Sequence, residues 1–324
     1  MTKTPLLMVT PLLPATCETL EADFELHRLA EANDPDALLA DVADRIRAIA
    51  MFPTGGVDRA LMERLPNLEI IGVAGAGYEG VDLAAAEARG IAVTQAADAL
   101  TEEVADIAMA LVVMTVRRLT AADAYLRAGR WENDGPFPVS PHSLRGATLG
   151  ILGLGRIGRA VARRAEAFGL SIAYHARSRR DDVDYAYCET PEALAKASDI
   201  FVVATPGGAA THHLVNAEVL KALGPDGYLI NIGRGPTVEE TALVAALEAG
   251  TIAGAGLDVY EHEPKVPRAL IGRDDVVLLP HLASGSVPTR TAMGQLMIDN
   301  LRAWFERGET LTPVPEIPVP TRTG

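Results

Sequence analysis

Short apolar runs alternate with helical patterns along most of the chain. In the first hundred residues, runs at 6–9, 46–51, 68–73 and 91–93 read as buried strands, and helical patterns at 35–44, 57–65 and 82–89 fall between them. Continuously apolar strands are those covered on both faces. Their alternation with helices predicts a parallel sheet flanked by helices. A long helical pattern then runs from 101 to about 128, with Thr101 as its N-cap and acidic residues suited to the positive end of its dipole. A Pro/Gly-rich arm at 129–141, carrying Trp131 and Phe137, follows. It reads either as a subunit contact or as a loop covering its own chain. From 144 the alternation resumes. Strands are expected at 149–152, 171–174, 200–204, 228–232, 253–257 and 276–279, helices at 156–168, 191–197, 216–222 and 239–249, and a final helix at 287–307. The pattern describes an α/β protein with two doubly wound parallel sheets.

The expected strand at 149–152 runs into Gly153, Gly155 and Gly158, spaced G-x-G-x-x-G, and the helical pattern of Ile157, Val161, Ala165 and Phe168 follows at once. That strand–turn–helix context is the one a dinucleotide fingerprint needs. The glycines permit a tight turn, let backbone N–H groups approach a pyrophosphate, and let the helix pack closely on the strand. At the end of the next expected strand an NAD site usually places a carboxylate for the ribose 2′-hydroxyl. Here His175, Ala176, Arg177, Ser178 and Arg179 stand there, and the first carboxylate is Asp181. Guanidinium forks pair with a 2′-phosphate that a carboxylate would repel, so NADP(H) is the expected cofactor, with NAD(H) a possible one. This segment is a Rossmann nucleotide domain. Crossings near 100 and 285 make it an insertion, residues 100–284, in a flavodoxin-like substrate domain of residues 1–99 and 285–324.

At 324 residues two domains of ordinary size are expected. The formal net charge of −14 and the absence of a basic stripe with interleaved aromatics argue against a nucleic-acid partner. An anionic substrate must then be drawn by a local positive site. Cys17 and Cys188 lie far apart without ligand spacing, which fits reduced residues of a cytoplasmic protein and no metal. The N-terminal apolar run is too short for a signal peptide, and no run approaches the roughly 18 apolar residues of a membrane span.

Chemistry-bearing residues collect at expected strand ends. Arg234, between Gly233 and Gly235, offers a planar fork for a carboxylate. Glu263 and His281 follow two other strands, and an imidazole bonded to a carboxylate is held in one tautomer and keeps its proton to higher pH, so it can be an acid near neutral pH. His175, His212, His213 and His262 compete with His281 but lack so favourable a setting. Asp258 ends its own strand and either meets a nicotinamide carboxamide or caps a turn. Thr205 and Pro206 leave the 200–204 strand where cofactor contacts collect. In the first domain, Gly72-Val-Ala-Gly-Ala-Gly-Tyr-Glu-Gly-Val-Asp82 leaves a strand end with small residues, and reads either as backbone N–H groups placed to meet a ligand or as a plain strand-to-helix turn.

These residues carry a resemblance. Gly75-Ala-Gly-Tyr-Glu-Gly-Val-Asp82, Thr101-x-x-Val-Ala105, Leu144-Arg-Gly146, the glycine fingerprint, Asn231-x-Gly-Arg-Gly235, Gly256-Leu-Asp-Val-Tyr-Glu-His-Glu-Pro264 and Leu279-Pro-His281 together resemble the D-isomer-specific 2-hydroxyacid dehydrogenases. The likeness runs from about 46 to 306 and points to the glyoxylate/hydroxypyruvate reductase branch with its hydroxyphenylpyruvate-reductase relatives. It implies NADPH-dependent reduction of a 2-oxo acid to the D-2-hydroxy acid. In that scheme Arg234 binds and polarises the substrate, backbone N–H groups near Ala76 and Gly77 hold its carboxylate, His281 is the general acid and Glu263 orients it. Thr101, Arg156 and Ile157 match cofactor contacts, Asp258 the carboxamide neighbour, and Met51 the start of the substrate pocket. The resemblance also implies a homodimer built on residues 117–147. Two departures stand out: Gly207-Gly-Ala-Ala is smaller than the usual sequence there, and Met51-Phe-Pro-Thr-Gly-Gly56 lacks a charge, which favours small or apolar substrates over phosphorylated ones. An aryl-pyruvate reductase and a non-catalytic dinucleotide sensor are the alternatives, and retained Arg234, Glu263 and His281 favour catalysis.

Overall fold

A computed structural model describes residues 3–322; the ends of the expected substrate domain, residues 1–2 and 323–324, lie outside the described residues. Contacts divide the chain into two units, Met1–Leu100 with Gly285–Gly324, and Thr101–Ser284.

The first unit holds a five-stranded parallel sheet of β1 (Thr4–Met8), β2 (Phe24–Arg28), β3 (Ala48–Met51), β4 (Ile70–Val73) and β5 (Ala92–Thr94) in the order β2-β1-β3-β4-β5. That order reverses direction beside β1, the flavodoxin-like arrangement. The central strands β3 and β4 are fully buried, as continuous apolar runs require. β2 and the Pro14–Asp23 helix before it escaped the sequence reading. β2 is an edge strand, and past Phe24 it is only partly buried, so its Glu25, His27 and Arg28 hide the apolar signal. The Val287–Arg307 helix packs on β4, where a Cβ on Gly72 would lie 2.9 Å from Met297 Cγ. That helix buries Met297, Ile298, Leu301 and Trp304 in the cluster with Leu6, Ala50 and Ile70.

The second unit holds a seven-stranded parallel sheet of β6 (Thr148–Leu152), β7 (Ser171–His175), β8 (Ala186–Tyr187), β9 (Ile200–Val203), β10 (Tyr228–Asn231), β11 (Gly254–Leu257) and β12 (Val276–Leu278). Its order is β12-β11-β10-β9-β6-β7-β8. Read from β6, this is the Rossmann order extended by a seventh strand, with the reversal between β6 and β9. The two-residue β8 is too short to register in a hydrophobic pattern.

The helix expected from 101 differs. It starts at Ala97, where the Gln95 side chain accepts the Ala97 N–H at 2.5 Å, so Thr101 is a buried interior residue and not the N-cap. It stops at Val116, because Arg118 adopts a left-handed conformation with φ 51°, and a second helix, Leu119–Arg127, follows. The arm folds partly back on its own chain. It contains a short helix, Arg130–Asp134, and Phe137 packs edge-on against Tyr125 at 5.3 Å, while Trp131 stays 63% exposed.

Candidate active site

The site in the second unit is assembled from loops at the carboxyl ends of β6, β7, β9, β10 and β11, joined by the turn after β12. Around β6, local packing requires two of the three glycines. Gly153 has φ 100°, and a Cβ there would sit 2.9 Å from Ala204 O and from Thr205 Cγ2, so the turn after β6 lies flush against the end of β9. A Cβ on Gly158 would come within 2.1 Å of Gly153 O, which is how the Arg156–Ala167 helix approaches the strand so closely. Gly155 differs: among the described residues an added Cβ would meet no atom within 4 Å. Gly155 caps this helix with no side-chain hydrogen bond, so the positive, N–H-rich end of the helix faces that space. The buried Thr205 Oγ1 has no hydrogen-bond partner among the described residues. A dinucleotide pyrophosphate fits this cradle, with helix N–H groups toward it, space over Gly155 and an orphaned hydroxyl at its border.

Beyond β7, Arg177, Ser178 and Arg179 are all exposed. Among the described residues no ion pair engages Arg177 or Arg179, while the nearby Asp182 is turned to Arg159 at 2.9 Å. That partner, helped by other hydrogen bonding and by Arg180, holds the Asp182 carboxyl below its ordinary range. The turn therefore presents net positive charge at the position where a ribose 2′-substituent is read.

Arg234 sits in a turn whose shape Asn231 dictates. Gly233 N donates to Asn231 Oδ1 at 3.1 Å, and Asn231 Nδ2 donates to Arg234 O at 3.1 Å. The flanking glycines are steric necessities: a Cβ on Gly233 would lie 2.8 Å from Thr205 O, and one on Gly235 only 1.8 Å from Tyr260 O. Close approach of the turns after β10 and β11 follows, and it brings Arg234 into the electrostatic neighbourhood of Glu263.

His281 and Glu263 are bonded, Nδ1 to Oε2, at 2.7 Å. The second Glu263 oxygen accepts Tyr260 N–H at 3.0 Å. Partial burial works against the Glu263 charge, but the bonds from His281 and Tyr260, with His281 and Arg234 nearby, outweigh it and hold the carboxyl below its usual range. The His281 backbone is left-handed, φ 50°, with its N–H donated to Asp258 O at 2.8 Å. Asp258 is 1% exposed, and its carboxylate accepts Leu282 N–H at 2.7 Å and Ala283 N–H at 3.0 Å. Of its two expected roles, turn-capping is the one these bonds display. Tyr260, which the sequence reading passed over, donates its hydroxyl to Leu279 O at 2.9 Å. Burial, then the charges of Asp258 and Glu263, push its pKa up to about 12, so it stays a neutral donor. An apolar cavity of about 350 Å³, lined in part by Tyr260, Val266, Ile271 and Leu278, adjoins the Glu263–His281 pair.

The competing histidines have other attachments. His175 Nδ1 bonds Cys188 O at 2.9 Å, and His213 Nε2 meets Glu261 at 2.6 Å. With His212, that pair forms the one group among the described residues with metal-ligand proximity.

In the first unit, Met51 ends β3 and is fully buried, so its side chain serves the core. Ala76 and Gly77 lie in the loop after β4, and their N–H groups engage no acceptor among the described residues. Phe52, next to Met51, donates its N–H to Thr10 Oγ1 at 2.6 Å and stacks beneath Arg290, 4.3 Å from the ring centre.

Comparison with known proteins gives concordant results. Residues 109–283 match the family model described as the D-isomer specific 2-hydroxyacid dehydrogenase, NAD binding domain. The chain is 44% identical over 308 residues to glyoxylate/hydroxypyruvate reductase A of Arabidopsis thaliana, covering 95% of this chain and 98% of that protein. It is equally 44% identical over 308 residues to hydroxyphenylpyruvate reductase of Plectranthus scutellarioides, with the same coverage. Among solved structures it is similar to the NADPH-dependent glyoxylate/hydroxypyruvate reductase of Sinorhizobium meliloti in complex with NADP and malonate. There the identity is 51%, the TM-score 0.93, and the match covers 99% of each chain.

Proposed function

The chain belongs to the D-isomer-specific 2-hydroxyacid dehydrogenases, and within that family we propose that it is an NADPH-dependent reductase of a 2-oxo acid such as glyoxylate or hydroxypyruvate. The observation that carries this reading is the 2.7 Å bond between His281 Nδ1 and Glu263 Oε2, beside the Arg234 turn. In this reading Thr101–Ser284 is the nucleotide domain and the first unit the substrate domain.

The Gly153–Gly158 turn and the Thr205–Pro206 segment would hold the dinucleotide, which would supply the hydride for reduction at C2 of the substrate. Arg234 receives the substrate carboxylate and draws charge from the 2-oxo group. In the first unit, the N–H groups of Ala76 and Gly77 are donors for a carboxylate oxygen. Glu263 accepts the Nδ1 proton of His281, which leaves Nε2 as the atom that holds and releases a proton. That proton passes to the C2 oxygen as it gains charge, and the product is the D-2-hydroxy acid. Asp258 fixes the backbone turn from which His281 projects. Arg177, Ser178 and Arg179 receive the 2′-phosphate, which makes NADPH the preferred partner over NADH. We read the protein as a cytoplasmic homodimer: Leu126 and Trp131 are exposed in the Leu119–Asp134 region, and among the described residues no helix is long and apolar enough to cross a membrane. Light scattering behind a sizing column checks the dimer.

The testing experiment is NADPH oxidation, followed at the nicotinamide absorbance, with glyoxylate, hydroxypyruvate and 4-hydroxyphenylpyruvate, and with NADH in parallel. Turnover with NADPH supports the reductase, and the ranking of kcat/KM selects the substrate. Tight NADPH binding without turnover of any 2-oxo acid would instead favour a dinucleotide sensor.

A further inference from the structure

We infer that the C-terminal tail sets the conformation of the loop after β4 through Glu316 and Tyr78, and that this pair positions the donors of Ala76 and Gly77. The inference rests on the reading of those two N–H groups as carboxylate donors.

The ends of that loop are clamped by backbone. Ala96 N donates to Gly75 O at 2.7 Å, and Val57 N donates to Gly80 O at 2.8 Å. Both ends also lie hard against the loop after β3: a Cβ on Gly75 would sit 2.1 Å from Pro53 Cγ, and one on Gly80 would sit 2.0 Å from Gly55 O. The middle of the loop is reached by side chains as well as by backbone. Val81 N reaches back to Tyr78 O at 3.0 Å, while the N–H groups of Ala76 and Gly77 engage no acceptor among the described residues. One side chain that reaches that middle lies 238 positions away: Tyr78 donates its hydroxyl to Glu316, 2.8 Å from Oε1 and 2.7 Å from Oε2.

Glu316 is itself held on a rigid support. The tail runs antiparallel to β5, with Gln95 N on Thr312 O at 3.0 Å and Val314 N on Val93 O at 3.0 Å. Val314 and Ile317, on either side of Glu316, are buried among Val73, Val81 and Val93, and Tyr78 packs against the same cluster. The backbone on either side of Glu316 is therefore anchored, by pairing with β5 and by this apolar cluster. A loop held before the ligand arrives does not lose conformational freedom on binding, so its donors bind more tightly. Proton transfer belongs to His281 and Glu263 in the other unit. Loss of the Tyr78–Glu316 contact should then weaken substrate binding and spare the chemical step.

The test uses the full-length enzyme, with glyoxylate varied at saturating NADPH, for Glu316→Ala, Glu316→Gln and Tyr78→Phe. Glu316→Ala and Tyr78→Phe should each raise the glyoxylate KM by roughly five- to thirtyfold, the scale of one charge-assisted hydrogen bond. Their kcat should stay within about twofold of wild type, with the NADPH Kd unchanged. Glu316→Gln keeps an oxygen acceptor and should restore KM to within about threefold of wild type. Tyr78→Phe removes only a hydroxyl, so it keeps the test decisive if Glu316→Ala loosens the tail. A wild-type KM in Tyr78→Phe overturns the inference, as does a loss that falls equally on kcat and the NADPH Kd. Absence of turnover in the wild type would remove the reductase reading and this inference together, whereas wild-type turnover with an insensitive Tyr78→Phe removes this inference alone.

Discussion

Each residue proposed for the chemistry has a partner that defines its task. His281 faces Glu263, so His281→Ala should lower kcat by roughly a hundred- to ten-thousandfold while the NADPH Kd, measured by fluorescence, barely moves. Near-normal turnover would reject the acid role. Glu263 carries the pH argument. Burial opposes its charge, but its bonds from His281 and Tyr260 win and lower its pKa. Its contribution to stability is therefore complete above the ordinary carboxylate pKa of about 4.3 and is lost as pH falls through the lower folded value. Acid unfolding of Glu263→Gln, compared with wild type, should show the variant's deficit at pH 7 shrinking as pH drops through that range; a deficit independent of pH would contradict it. Arg177 and Arg179 carry the cofactor choice. Replacing both with Gln should raise the NADPH KM at least about tenfold more than the NADH KM, the scale of a lost phosphate fork. An equal effect on both cofactors would mean that this turn does not read the 2′-phosphate. In the sequence these residues were legible because type and position after a strand suffice to suspect them. The task of Asp258 was not: a buried carboxylate can serve a ligand or a turn, and only its bonds to Leu282 and Ala283 distinguish the two.

Two glycines at the element scale separate folding from binding. Gly155 caps the Arg156–Ala167 helix with no atom of the described residues within 4 Å of an added Cβ and an ordinary negative φ of −83°. Gly155→Ala should therefore keep the wild-type Tm, yet weaken NADPH about tenfold or more by filling the cradle. Gly235 is the opposite case, because an added Cβ would fall 1.8 Å from Tyr260 O. Gly235→Ala must push the turns after β10 and β11 apart, at a cost of about 1–3 kcal/mol, and should lower Tm and kcat together. Equal Tm values for the two variants would refute this division. Boundaries of the elements were readable where the signal is local, as in the Val287–Arg307 helix. They were not readable where a neighbour decides. The break at Arg118 interrupts a helix-compatible sequence, and the helix start at Ala97 depends on a Gln95 side chain.

For the whole molecule, the reductase reading predicts a linkage between cofactor and folding. NADPH at about 100 times its Kd should stabilise the protein by about 2.7 kcal/mol, seen as a rise in Tm by calorimetry, and NADH at the same concentration should do less. Equal shifts from both would argue against a preference for the phosphate. The sequence by itself determined the architecture. Parallel strands covered on both faces must be apolar throughout, and a phosphate-binding turn must be glycine-rich, so both leave local marks at β3, β4, β6, β9 and Gly153–Gly158. Only the tertiary structure decided what lacks a local mark. The polar edge strand β2 pairs because β1 lies beside it. Arg234 is held in its turn by Asn231, and that turn packs on Tyr260. Glu316 meets Tyr78 across 238 positions. Such contacts depend on where the chain returns in space, which periodicity and residue type, being properties of neighbours in sequence, do not encode.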